Sequence, residues 1–482
     1  CVRKLLFSVC LCVYWWNPAC WLLIVLDKVS IPFLAVLGLS ILTLWLCSLL
    51  GRGITEETQW ILLILAAGFL LKLLYVLYTG VGTRQHDVHS FTDSANGHAG
   101  YIRYLMENGH LPDFDPREQF QFYHPPLHYI LSALWMKFNL LLGNGSWENL
   151  QLLPLFYTSA CMILMERLLR ELRFSGHPLC LALIVFCFHP YFIFLSGSVN
   201  NDALSILFML LAMLYTLRWS HKPCMRNIIF LALAIGLGMS SKLSVAYMAP
   251  ATALVFLWKL LHTRGWIRSL LPQFVVFALI CLPLGLWWYI RCYVLFDLPF
   301  GYVPALSTDS SQYLGTSYTA LQRLFDLSAE QFQYLYISYG KEGATYLEHN
   351  ILLVLLKSSV FEEQTLTRYN ELIQPVSALL FCANLGLVAA SLYGMYQNAK
   401  RLNAEENLTL YVTYGLVLIS FIVFCFRYPH VCTQSYRYAV PTLFVGIPAL
   451  ATLWERGGSP RLTGVTILFC ISSTAQFLLL GV

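Results

Sequence analysis

The sequence predicts an all-α protein that crosses a membrane many times, and its composition and its apolar pattern both support this prediction. Only 11% of the 482 residues are charged, whereas 58% are hydrophobic. A soluble domain carries about 25% charged residues, so this chain has too little charge to cover a water-facing surface. Apolar runs recur along the chain, and a bilayer core of about 30 Å needs about 20 apolar residues per helix. Counting these runs gives about 12–14 transmembrane helices.

Charge and cysteine content exclude two other classes of protein. The formal net charge is +5, from 30 basic and 25 acidic residues that are scattered among the loops, which predicts no nucleic-acid partner. The 15 cysteines lie mostly inside apolar runs and never form a C-x-x-C pattern. They are therefore interpreted as small core residues rather than a disulfide framework.

The apolar runs also define the organisation of the chain. Residues 1–58 are expected to form extra N-terminal spans, retained rather than cleaved as a signal, and residues 59–482 form the main transmembrane module. Two long polar segments, 80–126 and 292–375, interrupt this module. Basic residues in short loops mark the cytoplasmic side of a membrane protein. Such loops alternate with the others from residue 167 onward, so both long segments are placed on the outer face.

One part of this topology is inconsistent. If residues 52–59 and 167–177 lie inside and 80–126 lies outside, the chain must cross the membrane an odd number of times between residues 126 and 167. Two apolar runs, 127–142 and 153–168, occur there. Either the short run 127–142 does not cross fully, or one basic loop lies on the unexpected side.

The first outer segment concentrates the ionisable residues of the chain. It holds six of the 25 acidic residues and five of the 12 histidines. The run His86-Asp87-Val88-His89 comes within a few residues of an apolar span, where a carboxylate is partly desolvated and its pKa depends on its neighbours. Such a carboxylate can act as a general base. Asp87 is the first candidate for this role and Asp93 the second, and an ordinary solvated loop is the alternative.

Further polar residues lie at the ends of apolar runs. Asn201 and Asp202 precede a predicted helix, where they would either cap that helix or contact a substrate. Lys242 lies between two apolar runs, so it marks either a functional site or a side chain that snorkels to the headgroups. Arg291 follows a run of aromatic residues and is either an interfacial anchor or a binding group.

Four motifs, in this order, resemble those of a known family. His86-Asp87-Val88-His89-Ser90 resembles the Asp-Glu-Val-His-Phe segment early in the first lumenal loop of protein O-mannosyltransferases, and His124-Pro125-Pro126-Leu127 resembles the His-Pro-Pro-Leu segment at the end of that loop. Gly238-Met239-Ser240-Ser241-Lys242 is similar to the family's Gly-x-x-x-Lys turn. Tyr436-Arg437-Tyr438-Ala439-Val440-Pro441 is similar to its late Arg-Tyr-x-x-Pro segment. Bacterial aminoarabinose lipid A transferases share this layout, and the likeness covers most of residues 60–455.

The resemblance implies a GT-C fold and a glycosyltransferase whose donor is a polyprenyl-phosphate-linked sugar. The implied reaction moves a hexosyl or pentosyl group to a hydroxyl or amine of a protein, lipid or glycan acceptor, with inversion at the anomeric carbon. In the family one residue of the acidic pair is the catalytic base. Here His86 occupies the first position of that pair, so Asp87 is the only acidic residue that matches by position.

The implied reaction also needs cations that stabilise the departing lipid phosphate. Lys242, Arg291 and Arg437 are assigned this role. The predicted substrate-binding set is completed by Tyr436, His89, His124, Asn201 and Asp202. No cofactor and no metal ligand is assigned. A divalent metal held by Asp87 with His89, His98 and His124 is an alternative, although the spacing matches no compact zinc motif.

Two other functions stay open from the sequence. A multi-span transporter or lipid-linked glycan flippase would place polar residues at mid-span, with repeat symmetry and broken helices, and no repeat is evident. A polymerase or ligase of lipid-linked glycans would carry an arginine-rich outer loop late in the chain, whereas residues 292–375 are acidic. The likeness to bacterial members predicts a bacterial plasma membrane, an undecaprenyl carrier and a site that faces outward among membrane lipids.

Overall fold

A computed structural model describes residues 55–310, 312–315, 317–332, 335, 348–363, 373–457 and 459–480. The predicted extra spans of residues 1–58 lie almost entirely outside the described residues. Within the described ranges the chain is helical and contains no β-strand. The helices are α1 (Glu56–Tyr78), α2 (Gly97–Asn108), α3 (Leu127–Leu141), α4 (Leu152–Glu171), α5 (Gly176–Cys187), α6 (Pro190–Leu195), α7 (Asp202–His221), α8 (Met225–Met239), α9 (Met248–His262), α10 (Trp266–Ser269), α11 (Leu271–Phe296), α12 (Ala320–Phe325), α13 (Ile351–Phe361), α14 (Ile373–Ala399), α15 (Ala404–Asn407), α16 (Thr413–Arg427), α17 (Leu443–Glu455) and α18 (Pro460–Leu479).

The membrane-spanning character of the bundle follows from its longest helices. Eight helical segments of the described chain are long and apolar enough to cross a membrane. They are α1, α4 with its preceding turn, α7, α9 with its preceding turn, α11, α14, α15 joined to α16, and α18. Four shorter apolar helical segments accompany them: α5, α8, α13 and Val440–Glu455. The prediction of an all-α, multi-pass membrane protein is confirmed.

Helix α3 accounts for the inconsistency in the predicted topology. It has 15 residues, which gives a length of about 22 Å, less than the bilayer core of about 30 Å. Its buried side packs on α2 through Tyr129 and Met136, in one cluster with Tyr101. Its other side exposes Leu134 and Phe138. The structure therefore favours the alternative in which residues 127–142 do not cross, and α4 alone makes the required odd crossing.

The crossing after α4 is broken in the middle. Helix α5 ends at Cys187, and α6 begins at Pro190, a residue that suits the first turn of a helix. The carbonyl groups at this break would lack partners in an apolar surrounding. Lys72 Nζ donates to the Cys187 carbonyl at 2.7 Å, and Ser473 Oγ donates to the Phe188 carbonyl at 2.7 Å. The break is thus held by α1 and α18, and α6 leads to the turn before α7.

The second long loop runs from the end of α11 to the start of α14, and α13 packs part of it against the bundle. Asn350 caps α13, because its side chain accepts from the N–H groups of Leu352 and Leu353 at 2.9 Å each. Ile351 and Phe361 are fully buried. Helix α13 therefore packs into the bundle and delivers the two residues that follow it to the same side as the first long loop. This side is called the loop side below.

Candidate active site

Segments that are far apart in the sequence line one cavity on the loop side. Its volume is about 320 Å³. The polar wall consists of Asp87, His98, His124, Asp202, Lys242 and Arg437. The rest of the lining is largely aromatic; this aromatic wall includes Tyr123, Tyr247, Trp288, Tyr289, Tyr302 and Tyr438. A cavity with a few convergent polar groups among apolar and aromatic side chains is the usual form of a small-molecule binding site.

A turn with unusual backbone conformation holds Asp87 at the cavity wall. Its φ angle is 56°, in the left-handed region that residues other than glycine seldom adopt. The Asp87 carbonyl accepts a 3.0 Å hydrogen bond from the His98 N–H group, and the Val88 carbonyl accepts one of 3.0 Å from the Ala99 N–H group. Gly97 permits this approach, because a Cβ atom there would lie 2.6 Å from the Val88 carbonyl oxygen. The start of α2 therefore fixes the backbone that presents the Asp87 carboxylate.

Arg437 carries a positive charge beside Asp87. Its Nη1 atom lies 3.6 Å from Asp87 Oδ2, and its Nε atom lies 3.8 Å from Glu363 Oε1. The guanidinium carbon lies 4.7 Å from the centroid of the Tyr438 ring. The Arg437 side chain is 10% exposed, whereas the Asp87 side chain is 38% exposed. A guanidinium that contacts two carboxylates at these distances remains able to bind a further anion with its other N–H groups.

Lys242 contributes the second cation of the wall. Its Nζ atom pairs with an oxygen of Asp202 at the start of α7 and lies 5.4 Å from the centroid of the Tyr438 ring. The Asn201 amide donates to the Ser241 carbonyl at 3.1 Å. Neither side chain is used as a helix cap, since Asn201 makes no capping hydrogen bond and Asp202 is paired with the lysine. Both residues thus line the cavity and hold the turn that carries Lys242.

The segment before α3 joins the polar wall to the same turn. The Leu127 N–H group donates to the Ser240 carbonyl at 3.0 Å, so two of the sequence motifs contact each other directly. The His124 ring stacks on the His98 ring with a centroid distance of 5.8 Å. Together with the contacts of Asp87 and Lys242, these bring all four motifs to one cavity.

Burial and charge set the protonation of the wall. Burial lowers the pKa of His98 to about 4 and holds the pKa of His124 well below its ordinary value, so both rings are neutral at pH 7. Burial is the largest single influence and alone would raise the pKa of Asp87, but the charge of Arg437, together with smaller contributions from His98 and His86, outweighs it, and the pKa of Asp87 lies below its ordinary value. Asp87 is therefore ionised at neutral pH and can accept a proton.

His86 forms a buried link between the two long loops. Its Nε2 atom lies 2.6 Å from Glu362 Oε1, and its Nδ1 atom lies 3.4 Å from Glu363 Oε2. None of the three side chains is more than 10% exposed. Burial opposes protonation of His86, but the charges of Glu363 and Glu362 outweigh it and raise the pKa of His86 to about 9. The imidazole is therefore a cation between two carboxylates at pH 7.

Glu362 and Glu363 are not among the residues predicted from the sequence. They follow the apolar run of α13 and are separated from His86 by 276 positions in the case of Glu362. Two adjacent acids at the end of an apolar run were an available signal, because such residues need a partner when they are buried. The sequence alone does not show which loop provides that partner.

Two predicted residues of the first loop lie outside the cavity. Asp93 is exposed, and its carboxylate accepts hydrogen bonds from the hydroxyl groups of Ser90 and Thr92 at 3.1 and 2.8 Å. His89 is also exposed, and its ring meets the ring of Phe120 edge-on at 5.7 Å. The structure thus brings Asp87, but not Asp93 or His89, to the cations.

Arg291 and Tyr436 lie next to the cavity without lining it. Arg291 donates to the Pro112 carbonyl at 2.5 Å, and its guanidinium lies 5.3 Å from the Trp288 ring centroid. It therefore joins the end of α11 to the first loop. Tyr436 is buried and stacks on His189 with a centroid distance of 5.9 Å. It anchors the turn that carries Arg437 on the side facing the bundle.

The alternative of a divalent metal site requires Asp87, His89, His98 and His124 to lie close together. Within the described residues, no group of three or more His, Cys, Asp or Glu side chains is placed to hold a metal ion. His98 and His124 lie at the cavity, but the Nδ1 atom of His98 is 2.7 Å from the Tyr129 hydroxyl. His89 is outside the cavity, so the predicted set is not gathered in one place.

Comparison with known proteins agrees with the motifs. The chain resembles membrane glycosyltransferases over part of its length. Residues 123–288 match the sequence model of the family described as dolichyl-phosphate-mannose-protein mannosyltransferase. This range contains the His124–Leu127 and Gly238–Lys242 motifs, and the resemblance predicted from the motifs is thereby confirmed. No curated protein sequence matches the chain.

Several solved structures are similar at low sequence identity. A crystal structure of the Archaeoglobus fulgidus oligosaccharyltransferase with Zn and sulfate is 14% identical, with a TM-score of 0.48, over 86% of this chain and 53% of that chain. AglB from Archaeoglobus fulgidus, with an inhibitory peptide and a dolichol-phosphate, is 13% identical, with a TM-score of 0.46, over 87% and 56%. ArnT from Cupriavidus metallidurans, bound to undecaprenyl phosphate, is 14% identical, with a TM-score of 0.40, over 83% and 78%. The chain thus spans about half the length of the archaeal enzymes.

Proposed function

We propose that the protein transfers a sugar from a polyprenyl-phosphate carrier to an acceptor, with inversion at the anomeric carbon, in the cavity on the loop side. One observation carries the proposal. The Asp87 carboxylate shares the cavity with two cations, Lys242 and Arg437, and lies 3.6 Å from the latter. Transfer from a lipid phosphate needs a proton acceptor and a cationic site for the leaving phosphate, side by side.

The roles of these residues follow from their charges. Asp87 accepts the proton of the acceptor hydroxyl or amine as the acceptor oxygen or nitrogen forms a bond to the anomeric carbon. The bond between that carbon and the phosphate oxygen breaks, and the phosphate leaves on its lipid carrier with the electron pair. Arg437 and Lys242 stabilise the negative charge of the departing phosphate. Attack opposite the leaving group inverts the configuration of the sugar.

The pairing of charges at the wall suggests how binding prepares the base. Arg437 lowers the pKa of Asp87, which makes the carboxylate a weak base. A phosphate that binds Arg437 and Lys242 competes with Asp87 and Asp202 for these cations. The pKa of Asp87 then rises towards its ordinary value, so the carboxylate becomes a stronger base when the donor is in place.

The aromatic wall fits the sugar and the first part of the carrier. Tyr123 and Tyr302 meet edge-to-face with a centroid distance of 5.7 Å at the cavity, and ring faces pack well against the apolar faces of a sugar. The donor is a hexosyl or pentosyl polyprenyl phosphate, and the acceptor belongs to a protein, lipid or glycan. The basic loops support an outward-facing site, and the bacterial likeness of the motifs supports a plasma membrane with an undecaprenyl carrier.

The proposal is tested with purified protein and a labelled polyprenyl-phosphate sugar. Asp87→Asn should lower the transfer rate about 10²- to 10⁴-fold, because the general base is lost. Glu107→Gln is the matched control, since Glu107 lies on α2 of the same loop with a side chain that is 65% exposed. Asp93→Asn separates the two predicted acids. Full activity in Asp87→Asn would overturn the assignment, and a lipid that co-purifies would identify the carrier by mass spectrometry.

A further inference from the structure

A chain of ion pairs leads from the second long loop to both reacting groups. Glu362 lies 2.6 Å from one nitrogen of His86, and Glu363 lies 3.4 Å from the other. Glu363 also lies 3.8 Å from Arg437 Nε, and Arg437 lies 3.6 Å from Asp87. His86 precedes Asp87 in the chain. The two glutamates therefore contact the neighbour of the base and the cation beside it.

We propose that Glu362 and Glu363 are positioning residues of the transfer reaction, which act on Asp87 through His86 and directly on Arg437. This inference rests on the proposed function, because it concerns the same cavity. It assigns a role to the second long loop, whose docking on the first loop completes the site.

The balance of charge explains why two glutamates are needed. His86 and Arg437 each carry a positive charge, and Glu362 and Glu363 each carry a negative charge, so these four groups neutralise one another in a buried place. Asp87 is then not required as the partner that neutralises Arg437. When the Arg437 guanidinium binds a phosphate, it keeps its contact with Glu363. The Asp87 carboxylate can then accept the proton of the acceptor.

Helix α13 fixes the glutamates relative to the turn that carries Arg437. The Glu362 N–H group donates to the Ser358 carbonyl at 3.0 Å. The Ser358 hydroxyl accepts from the N–H group of Tyr436 at 2.9 Å. The last turn of α13 and the residue before Arg437 are thus joined through one residue, Ser358, by its backbone carbonyl and its hydroxyl group. A shift of α13 would move the glutamates and the guanidinium together.

The experiment compares Glu363→Gln and His86→Gln in purified protein with labelled polyprenyl-phosphate sugar. Each variant should lower kcat about 10²-fold, because displacement of reacting groups by about 1 Å costs this much, while the KM for the donor changes less. Glu330→Gln, an exposed glutamate of the same loop, should retain the original kcat. Glu363→Asp keeps the charge and should recover part of the loss.

The pH profile gives a readout that loss of structure would not produce. The titratable and charged groups that interact with Asp87 are Arg437, His98, His86, Asp202, Tyr123, Tyr129, Cys432 and Tyr438. Loss of the His86 cation raises the pKa of Asp87, so the acidic limb of kcat/KM moves to higher pH in His86→Gln. Loss of a negative charge in Glu363→Gln moves this limb to lower pH. Each shift should be up to about one pH unit.

The outcomes separate the two proposals. Opposite shifts of the acidic limb, with reduced kcat in both variants, support the positioning role. Unchanged kcat and an unmoved limb in both variants, with Asp87→Asn inactive, would overturn this inference and leave the proposed function intact. Full activity of Asp87→Asn would overturn the proposed function itself. If Glu363→Gln does not fold, His86→Gln decides, since an unmoved acidic limb there contradicts the positioning role.

Discussion

The ion pairs around Glu406 at one end of the bundle and around Arg437 at the other end differ in the length of their contacts. At the end opposite the loop side, Glu406 is fully buried and binds Arg173 with contacts of 2.7 and 2.8 Å and His221 at 2.8 Å. On the loop side, the contacts of Arg437 with Asp87 and Glu363 are 3.6 and 3.8 Å. The first set is closed by hydrogen bonds, and the second borders a cavity.

This difference shows which charges hold the fold and which are available for chemistry. A carboxylate that is fully hydrogen-bonded loses much when a partner is removed, and it has no capacity for a substrate. A guanidinium between two carboxylates at longer distances can bind an incoming anion at lower cost. The end with Glu406 is therefore expected to govern stability, and the loop side to govern transfer.

Among the variants that compare the two ends, Arg437→Met should have the largest effect. Removal of a preorganised cation beside the leaving phosphate should lower kcat/KM about 10²- to 10³-fold, measured with labelled polyprenyl-phosphate sugar. Arg173→Met removes an arginine with shorter contacts at the other end, and it should leave the kcat/KM of the folded enzyme unchanged. Arg437→Lys keeps the charge but not the planar fork, so its loss should be smaller. Equal losses in Arg437→Met and Arg173→Met would contradict the division between the two ends.

Glu406→Gln should lower the stability of the protein and leave the rate of sugar transfer unchanged. Its side chain is fully buried, and the loss of charged hydrogen bonds to Arg173 and His221 should cost about 1.5–3 kcal/mol. The measurement is the midpoint of thermal or denaturant unfolding in detergent. The transfer rate per folded molecule should stay at the original value. Glu107→Gln, at an exposed position, is the control, and a normal midpoint in Glu406→Gln would refute the expected role.

Two lysines provide a matched pair with a smaller expected effect. Lys242 pairs with Asp202 at the cavity, and Lys259 pairs with Glu405 at 2.8 Å at the other end. Lys242→Gln removes one charged contact with the donor phosphate and should raise the KM for the donor about tenfold. Lys259→Gln should leave this KM unchanged. The comparison fails if both variants, or neither, alter donor binding in a titration of the rate against donor concentration.

Much of the fold could be predicted because its causes are local. Low charge and recurrent apolar runs depend on composition alone, and the short length of the run 127–142 made an incomplete crossing one of two alternatives. The resemblance of the motifs to a known family implied that Asp87 would share a site with Lys242, Arg291 and Arg437, and the structure places Lys242 and Arg437 with Asp87 at the cavity. Interactions between the loops could not be predicted, since apolar periodicity does not determine which loop residues meet. For this reason the sequence did not reveal Glu362, and it did not show that Arg291 contacts Pro112.

The smallest expected effect concerns pH and tests the electrostatics of the loop side. The pKa of Asp87 lies below its ordinary value, so its base form is present above about pH 5 and is lost only as the pH falls further. His98, with a pKa of about 4, stays neutral over the same range. The pKa of His86 is raised from its ordinary value of 6.5 to about 9. The stability that the protonated His86 contributes is therefore fully present below pH 6.5 and is lost as the pH rises through about 9. We therefore expect kcat/KM to be flat from about pH 5 to 8 and to decline towards alkaline pH.

In His86→Gln the alkaline decline should disappear, because no proton remains to be lost at that position. Persistence of the same decline in this variant would assign it to a different group and remove His86 as the link between the pH and the geometry of the cavity.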